Sequence, residues 1–522
     1  MEERKVLTAR RERAIAAVLM LVGVLMRVLW LERFPAGINQ DEAYSAYEAW
    51  CLLKDGMDSW GYRFPVYLTV WGSGQSALQS YLMAPMMALF GPTLFAIRLP
   101  EAINACLSLP VIYLLLKRLF DRRTALIGLG FLAICPWHIL MARWGLDCNF
   151  APGLILAGLY CFIRGSDNPK YYLLSGIVYG LCLYAYATIW VVMPFMLLFH
   201  AAYLLYVGKL KFSRWLLAGV IVLGLMAAPL IAFLAVNWGI LPEVRTAFFS
   251  IPKMPQMRGD EVTFLNLYEN VYRMVKTFLT QSDGMIWNAA KGYGLYYPIS
   301  LPFMVIGGVG CLIKTVRSIK TREFDGSVLI FVWLMLGVIQ GCMIDGNINR
   351  LNFLHMPIIL CIVLGIAGVC KWLSARGRLR VLCAGVAAAY ALSFALFTGY
   401  YFTDYQNDVG VHFDAGLDEA LAYAKTLTQG EIVVSNEIIY PKILFYGQIE
   451  PETFRETVVW RGDPGAFMRI DTVEGYRFGV NEKDMTDGVC IVKAGEIENG
   501  LPQGAKAEVF GSVAVVHGAD RK

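Results

Sequence analysis

The chain has 522 residues, of which 57% are hydrophobic and only 17% charged, with a mean hydropathy of +0.52. Water-soluble domains carry about 25% charged residues, so a single aqueous core cannot hide this much apolar surface, which excludes an ordinary soluble enzyme and a disordered chain. The formal net charge of +5 does not point to nucleic acid, because the basic residues fall in short stretches between apolar runs, where membrane topology places them.

In chain order, the first expected span is 14–31. It follows MEERKVLTARRER, which holds five Lys and Arg. No small-residue cleavage site follows it, so it reads as an uncleaved first helix with a cytoplasmic N-terminus. Further spans are expected at 98–116, 124–140, 150–164, 170–186, 188–207, 214–236, 296–314, 326–344, 351–370 and 381–402, making eleven. Charge supports this arrangement. The segments 1–13, 117–123, 164–170, 209–214, 314–322 and 371–380 together hold 22 Lys and Arg, whereas the outer loops 141–149 and 345–350 hold one arginine each. The apolar stretch 77–90 is short, and a crossing there would turn the basic KRLFDRR outward. It is therefore expected to lie in the outer interface.

Four regions then share the outer face: loop 32–97, loop 141–149, loop 237–295 and a polar tail from about 403 to 522. An odd number of spans places the tail outside. It alternates a helix-like segment (LDEALAYAKTL) with strand-like ones (EIVVSN, GVCIVKAG, AEVFGSVAVVHG), the pattern of a small α/β domain. The sequence shows no repeats, low-complexity tract or Walker-type phosphate loop. Most of the twelve cysteines sit in apolar runs as small hydrophobes. The tail holds Cys490 as its one cysteine, and no CxxC pair points to zinc.

Loop 32–97 opens with FPAGINQDEAYSAYEAW. Asp41 and Glu42 are adjacent acids just past the first span. Tyr44, Tyr47 and Trp50 follow at helical spacing, which predicts an amphipathic helix on the membrane surface. Asp41 is either the cap of that helix or a carboxylate held at the boundary as a general base, and Glu42 is solvated near the helix N-terminus. Asp147, in ARWGLDCNF, lies in a short outer loop. It either caps a helix, pairs with Arg143, or acts in a site, since an acid is costly there. Arg98, Arg143 and Arg350 stand at outer ends of spans, where arginines either snorkel or grip a lipid phosphate. His138 reads as a hydrogen-bonded core residue, and the five histidines show no HxxxH or HxH spacing. The aromatic residues of WGYRF and KGYGLYYP are ordinary interface residues, with sugar stacking as a weaker reading.

These features together resemble the C-type glycosyltransferase superfamily. The carriers are Asp41-Glu42 after the first span, RLPEA at 98–102 leading into the second, the basic RLFDRR after it, and PWHILMAR with an acid in the next outer loop. The tail segment IIYPKILFYGQIEPETF resembles the extracytoplasmic tail of bacterial members. The nearest group is the family 39 type, which includes protein O-mannosyltransferases and lipid A aminoarabinose transferases. The resemblance covers essentially the whole chain.

It implies an all-α polytopic bundle at 1–402, with surface-parallel helices in loop 32–97, and an extracytoplasmic α/β domain at 403–522. It also implies a multi-pass protein of the bacterial cytoplasmic membrane, acting in the cell envelope. The implied activity is inverting transfer of a hexose or pentose from a polyprenyl-phosphate donor, with undecaprenyl phosphate as the expected carrier, to an acceptor hydroxyl. The acceptor is a glycan, lipid or protein, and no nucleic acid is a partner. On this reading Asp41 is the base, Glu42 orients it or holds the loop, and Asp147 orients the acceptor or shares the base role. Arg98, Arg143 and Arg350 meet the lipid phosphate. No cofactor is expected, and a divalent metal is left open. The MIR-type modules of eukaryotic protein O-mannosyltransferases are absent, which argues against a protein acceptor of that kind. Two other classes compete: a transporter or flippase of lipid-linked sugars, which would place ionisable groups at mid-span, and a non-enzymatic scaffold, which would leave the acids without a purpose.

Overall fold

The computed structural model describes residues 9–257, 265–375, 379–462, 467–498 and 500–519. The basic residues expected on the inside before position 9 and at 376–378 lie outside the described residues. Helix α1 (Ala9–Val28) is followed by α2 (Gln40–Lys54), the strand pair β1 (Tyr67–Leu68) and β2 (Gln75–Ser76), and α3 (Leu78–Phe90). Then come α4 (Leu94–Leu119), α5 (Arg122–Ile134), the short α6 (Pro136–Leu140), α7 (Phe150–Arg164), α8 (Lys170–Leu183), α9 (Ile189–Tyr206) and α10 (Arg214–Asn237). A second strand pair, β3 (Val244–Arg245) with β4 (Ser250–Ile251), and α11 (Leu267–Thr280) lead to α12 (Leu301–Thr321), α13 (Ser327–Met343), α14 (Asn352–Ala375) and α15 (Leu379–Phe402).

Each stretch expected to span is helical. Among the described residues six helices are long and apolar enough to cross a membrane: α4, α9, α10, α12, α14 and α15, while α3, α8 and α13 are shorter apolar helices. At 13 residues, α3 covers about 20 Å, short of the roughly 30 Å hydrocarbon core. Close approach of α12 and α14 depends on small residues: a Cβ at Gly307 would collide with the carbonyl of Cys361, and one at Gly365 with that of Phe303.

The expected span 124–140 is interrupted between α5 and α6. Pro136 has no N–H to give the carbonyl four residues back, so within the helix Leu132 O keeps only a long bond from Cys135 N–H at 3.4 Å and has room for a second donor. Arg27, fully buried on α1, supplies it. Its Nη2 donates to Leu132 O at 2.7 Å and its Nη1 to Ala133 O at 3.2 Å, while Nε reaches His138 Nδ1 at 3.1 Å. His138 is thus a hydrogen-bonded core residue, as its sequence context indicates.

The tail contains α16 (Asp404–Phe413), α17 (Leu417–Leu427), β5 (Ile432–Val434), α18 (Tyr440–Gly447), α19 (Pro451–Thr457), β6 (Val459–Trp460), β7 (Ile470–Val473), β8 (Tyr476–Phe478), α20 (Glu482–Asp487), β9 (Val489–Lys493), β10 (Ala505–Phe510) and β11 (Val513–Gly518). One sheet runs β10-β11-β9-β5-β8-β7-β6; β5 is parallel to β8 and β9, and the remaining pairs are antiparallel. The central β5 and β9 are apolar on both faces because both are covered: Val434 and Ile491 point into one core, Val433 and Val492 into another.

Protein covers α2 on two sides. Tyr44, Tyr47 and Leu52 share a core with Ile443, Leu444 and Phe454 of the tail, while Ala43, Ala46 and Ala49 pack with Met83 and Met87 of α3 and Ala96 and Ile97 of α4. The aromatic face therefore meets protein. Tyr47 Oη donates to Ile449 O at 3.1 Å, and Ile38 N–H donates to Phe413 O at 2.8 Å.

Candidate active site

The start of α2 brings the two adjacent acids into different surroundings. Asn39 accepts the N–H of Asp41 at 2.9 Å, and Glu42 Oε2 accepts the N–H of Asn39 at 3.4 Å, completing a capping box. Asn39 thus fills the capping role that the sequence leaves open for Asp41. Consecutive helical residues point about 100° apart. Glu42 turns inward and Asp41 does not.

Glu42 and Arg98 are both fully buried and meet fork to fork, Nε to Oε1 at 3.0 Å and Nη2 to Oε2 at 3.2 Å. Gly145 N–H adds a third bond to Glu42 Oε1 at 2.8 Å. Arg98 also donates to the carbonyls of Leu31 (3.2 Å), Pro35 (2.9 Å) and Gly37 (2.6 Å). The pair joins α2 to α4, to the segment after α1 and to the loop before Asp147. Glu42 is therefore not solvated, contrary to expectation.

Asp41 is half-buried, and its Oδ1 accepts Trp71 Nε1–H at 3.0 Å. Trp71 sits in the turn between β1 and β2. Asp147 is buried at the start of a single helical turn, Asp147–Asn149. Its Oδ1 accepts Cys148 N–H at 2.8 Å and its Oδ2 accepts Ser76 N–H at 3.3 Å. Burial pushes its carboxyl up to about 7; those N–H groups oppose the shift, and the charge of nearby Asp41 adds to it. The fold thus brings Asp41 and Asp147, far apart in sequence, into one electrostatic environment. A third acid is close to them: Glu101 of α4 is 1% exposed, and the charges of Asp147 and Glu42 act on it.

The three arginines separate. Arg98 and Arg143 are not on an outer rim: both are fully buried, with every guanidinium nitrogen engaged. Arg143 donates to Tyr401 Oη (2.9 Å) and to the carbonyls of Met26 (2.8 Å), Leu29 (2.7 Å) and Phe34 (3.1 Å). These carbonyls lie in the last turn of α1 and in the segment that follows it, and Arg143 serves them instead of pairing with Asp147. Arg350 is half-buried; Nη1 donates to Asp345 O at 3.3 Å, and its charge acts on Tyr186, which also feels Asp147.

A narrow cleft with about 10 Å³ of free space is lined by Trp137, Trp144, Asn149, Trp287, Asn288 and Asn349. Indole rings and side-chain amides match the apolar faces and hydroxyl edges of a sugar ring. Among the described residues no group of three or more His, Cys, Asp and Glu is placed to hold a metal ion. Sequence reading missed Trp71 and Glu101. An acid inside an apolar span was the available signal for Glu101; nothing local marked Trp71, whose role depends on a contact across the turn.

Residues 75–236 match a family model described as dolichyl-phosphate-mannose-protein mannosyltransferase. No curated protein matches the chain. Solved structures give the fold. The chain is similar to ArnT from Cupriavidus metallidurans bound to undecaprenyl phosphate, with 15% identity, a TM-score of 0.50 and 97% of each chain covered. The apo state of ArnT gives 14% identity, a TM-score of 0.52 and the same coverage. The oligosaccharyltransferase of Archaeoglobus fulgidus with Zn and sulfate gives 15% identity and a TM-score of 0.52 over 83% of this chain, which spans 61% of the archaeal one. The chain is a membrane-embedded protein with the C-type glycosyltransferase fold, and the resemblance in its sequence to that superfamily is borne out.

Proposed function

We propose that the protein is an integral-membrane inverting glycosyltransferase. It moves a sugar from a polyprenyl-phosphate donor to an acceptor hydroxyl on the outer face of the cytoplasmic membrane, in a bacterial envelope. The observation that carries this reading is the division of labour at Asp41-Glu42. Glu42 is locked to Arg98, which holds Asp41 half-exposed beside Asp147. The family match and the undecaprenyl phosphate bound by ArnT support the donor class.

Asp41 takes the proton from the acceptor hydroxyl, whose oxygen forms a bond to the anomeric carbon. The bond from that carbon to the phosphate oxygen breaks on the opposite face, and its electron pair leaves with the lipid phosphate, so the configuration inverts. The phosphate is already a good leaving group and needs a cation rather than an acid. Arg350, the half-buried one of the three arginines, is assigned to it, and the fully buried Arg98 and Arg143 act as positioning residues. Asp147, whose carboxyl burial pushes up, orients the acceptor or shares the proton.

The test uses purified full-length protein in lipid with a panel of radiolabelled undecaprenyl-phosphate hexoses and pentoses. Wild type is expected to release sugar from one donor to water or an acceptor. Asp41→Asn is expected to lose about 10²–10⁴-fold in rate without a change in thermal stability. No donor consumed by wild type, or an Asp41→Asn variant at the wild-type rate, overturns the reading.

A further inference from the structure

Trp71 is an unusual residue in an unusual place. It is 4% exposed, and its φ of +59° lies in the left-handed region, which is unfavourable for a bulky side chain. Such a conformation persists when its surroundings over-determine it, and here they do. Within the outer loop, Tyr44 of α2 packs edge-on at 5.0 Å between ring centres. From the tail, Tyr440 and Phe467 pack edge-on at 5.5 Å and 5.7 Å, and Met468 N–H donates to Trp71 O at 3.1 Å. Gly72 follows with φ +74°, and a Cβ there would strike Met468 Sδ. From loop 237–295, Gln256 N–H donates to Gly72 O at 3.0 Å. The product of these contacts is an indole N–H held 3.0 Å from Asp41 Oδ1.

We propose that Trp71 is a positioning residue for the carboxylate of Asp41, and that the tail domain serves catalysis by clamping the Trp71 turn. This rests on the reading of Asp41 as the base. The donated N–H fixes the rotation of the carboxylate. It also stabilises the ionised form. Because the tail supplies two of the three packed rings and a backbone bond, base geometry depends on residues roughly 400 positions later in the chain.

The experiment compares wild type, Asp41→Asn, Trp71→Phe and Phe467→Ala in the full chain, using whichever labelled undecaprenyl-phosphate sugar wild type consumes. Trp71→Phe keeps an aromatic ring and removes the N–H. It is expected to lower kcat about tenfold or more with KM for the donor little changed. The acid limb of its kcat profile should move to higher pH, because a carboxylate that loses a donor holds its proton more tightly. Phe467 is half exposed, so Phe467→Ala tests the clamp even where Trp71→Phe fails to fold; a smaller fall in kcat with KM retained is expected. If Asp41→Asn is inactive while Trp71→Phe and Phe467→Ala keep wild-type kcat and acid limb, the positioning role is overturned and the base assignment stands. If Trp71→Phe does not fold and Phe467→Ala is unchanged, the clamp is overturned. If Asp41→Asn is active, or no donor is consumed, both readings fall together.

Discussion

Arg98 shows how one residue type at one position serves a purpose that its sequence context does not reveal. At the start of a span, an arginine is equally suited to gripping phosphate or reaching for the interface. The fold instead gives it a buried carboxylate and three carbonyls. Lysine is not equivalent, because an ammonium cannot present a planar fork to both oxygens of Glu42 while serving carbonyls on another side. Arg98→Leu leaves Glu42 buried and unpaired and is expected to cost about 3–5 kcal/mol; Arg98→Lys should recover only part of it. Thermal unfolding of the two variants in detergent, measured beside Asp41→Asn, checks this. Asp41→Asn should melt with wild type, since Asp41 is half-buried and outside the ion pair.

At the scale of elements, the break between α5 and α6 is a designed discontinuity. A proline inside an apolar segment frees a carbonyl, and in a membrane interior that carbonyl needs a protein partner. Arg27 supplies it and at the same time bonds His138. Arg27→Met keeps the volume and removes the donors. About 1–3 kcal/mol of destabilisation is expected for each group left unsatisfied, read as a lower melting temperature. A double variant with Pro136→Ala should lose less than the sum of the two single variants, because an alanine N–H can serve Leu132 from within the helix. A melting temperature for Arg27→Met equal to that of wild type would mean that the break is satisfied elsewhere.

At the scale of the molecule, the tail and the segment 32–97 form one folded unit. Arg455 of α19 forms an ion pair with Asp55 and donates to Asp58 O at 3.2 Å, next to two buried acids. Glu48 is held up to about 8 by burial and by the charge of Asp58, against bonds from Ser59; Asp58 is held up to about 6 by burial, against N–H groups of Tyr62 and Trp60. Both pKa values lie above the unfolded range of about 4. The folded state therefore binds more protons than the unfolded state between about pH 4 and 8, and stability falls as pH rises through that window. The melting temperature is expected to decrease from pH 6 to pH 8.5. Glu48→Gln, which keeps the shape and removes the charge, should flatten that slope; an unchanged slope would place the titration elsewhere.

The sequence by itself determined the class of molecule. Its apolar runs are long enough to require a lipid solvent, and their flanking charges carry topology, because both signals are local and need no partner. The tail's α17, β5, β9, β10 and β11 were legible for the same reason: α17 is amphipathic at helical spacing, and the strands lie in stretches rich in apolar and β-branched residues. The short β6, β7 and β8 were not, since two to four residues hold no period. Asp41, Glu42 and Asp147 were legible as candidates by residue type and place. Only the tertiary structure decided their roles. Whether an acid is buried and paired, like Glu42, or half-exposed and steered, like Asp41, depends on which distant groups the packing brings within about 3 Å. Arg98 and Arg143 are engaged within the protein for that reason, and Trp71 meets Asp41 for the same one.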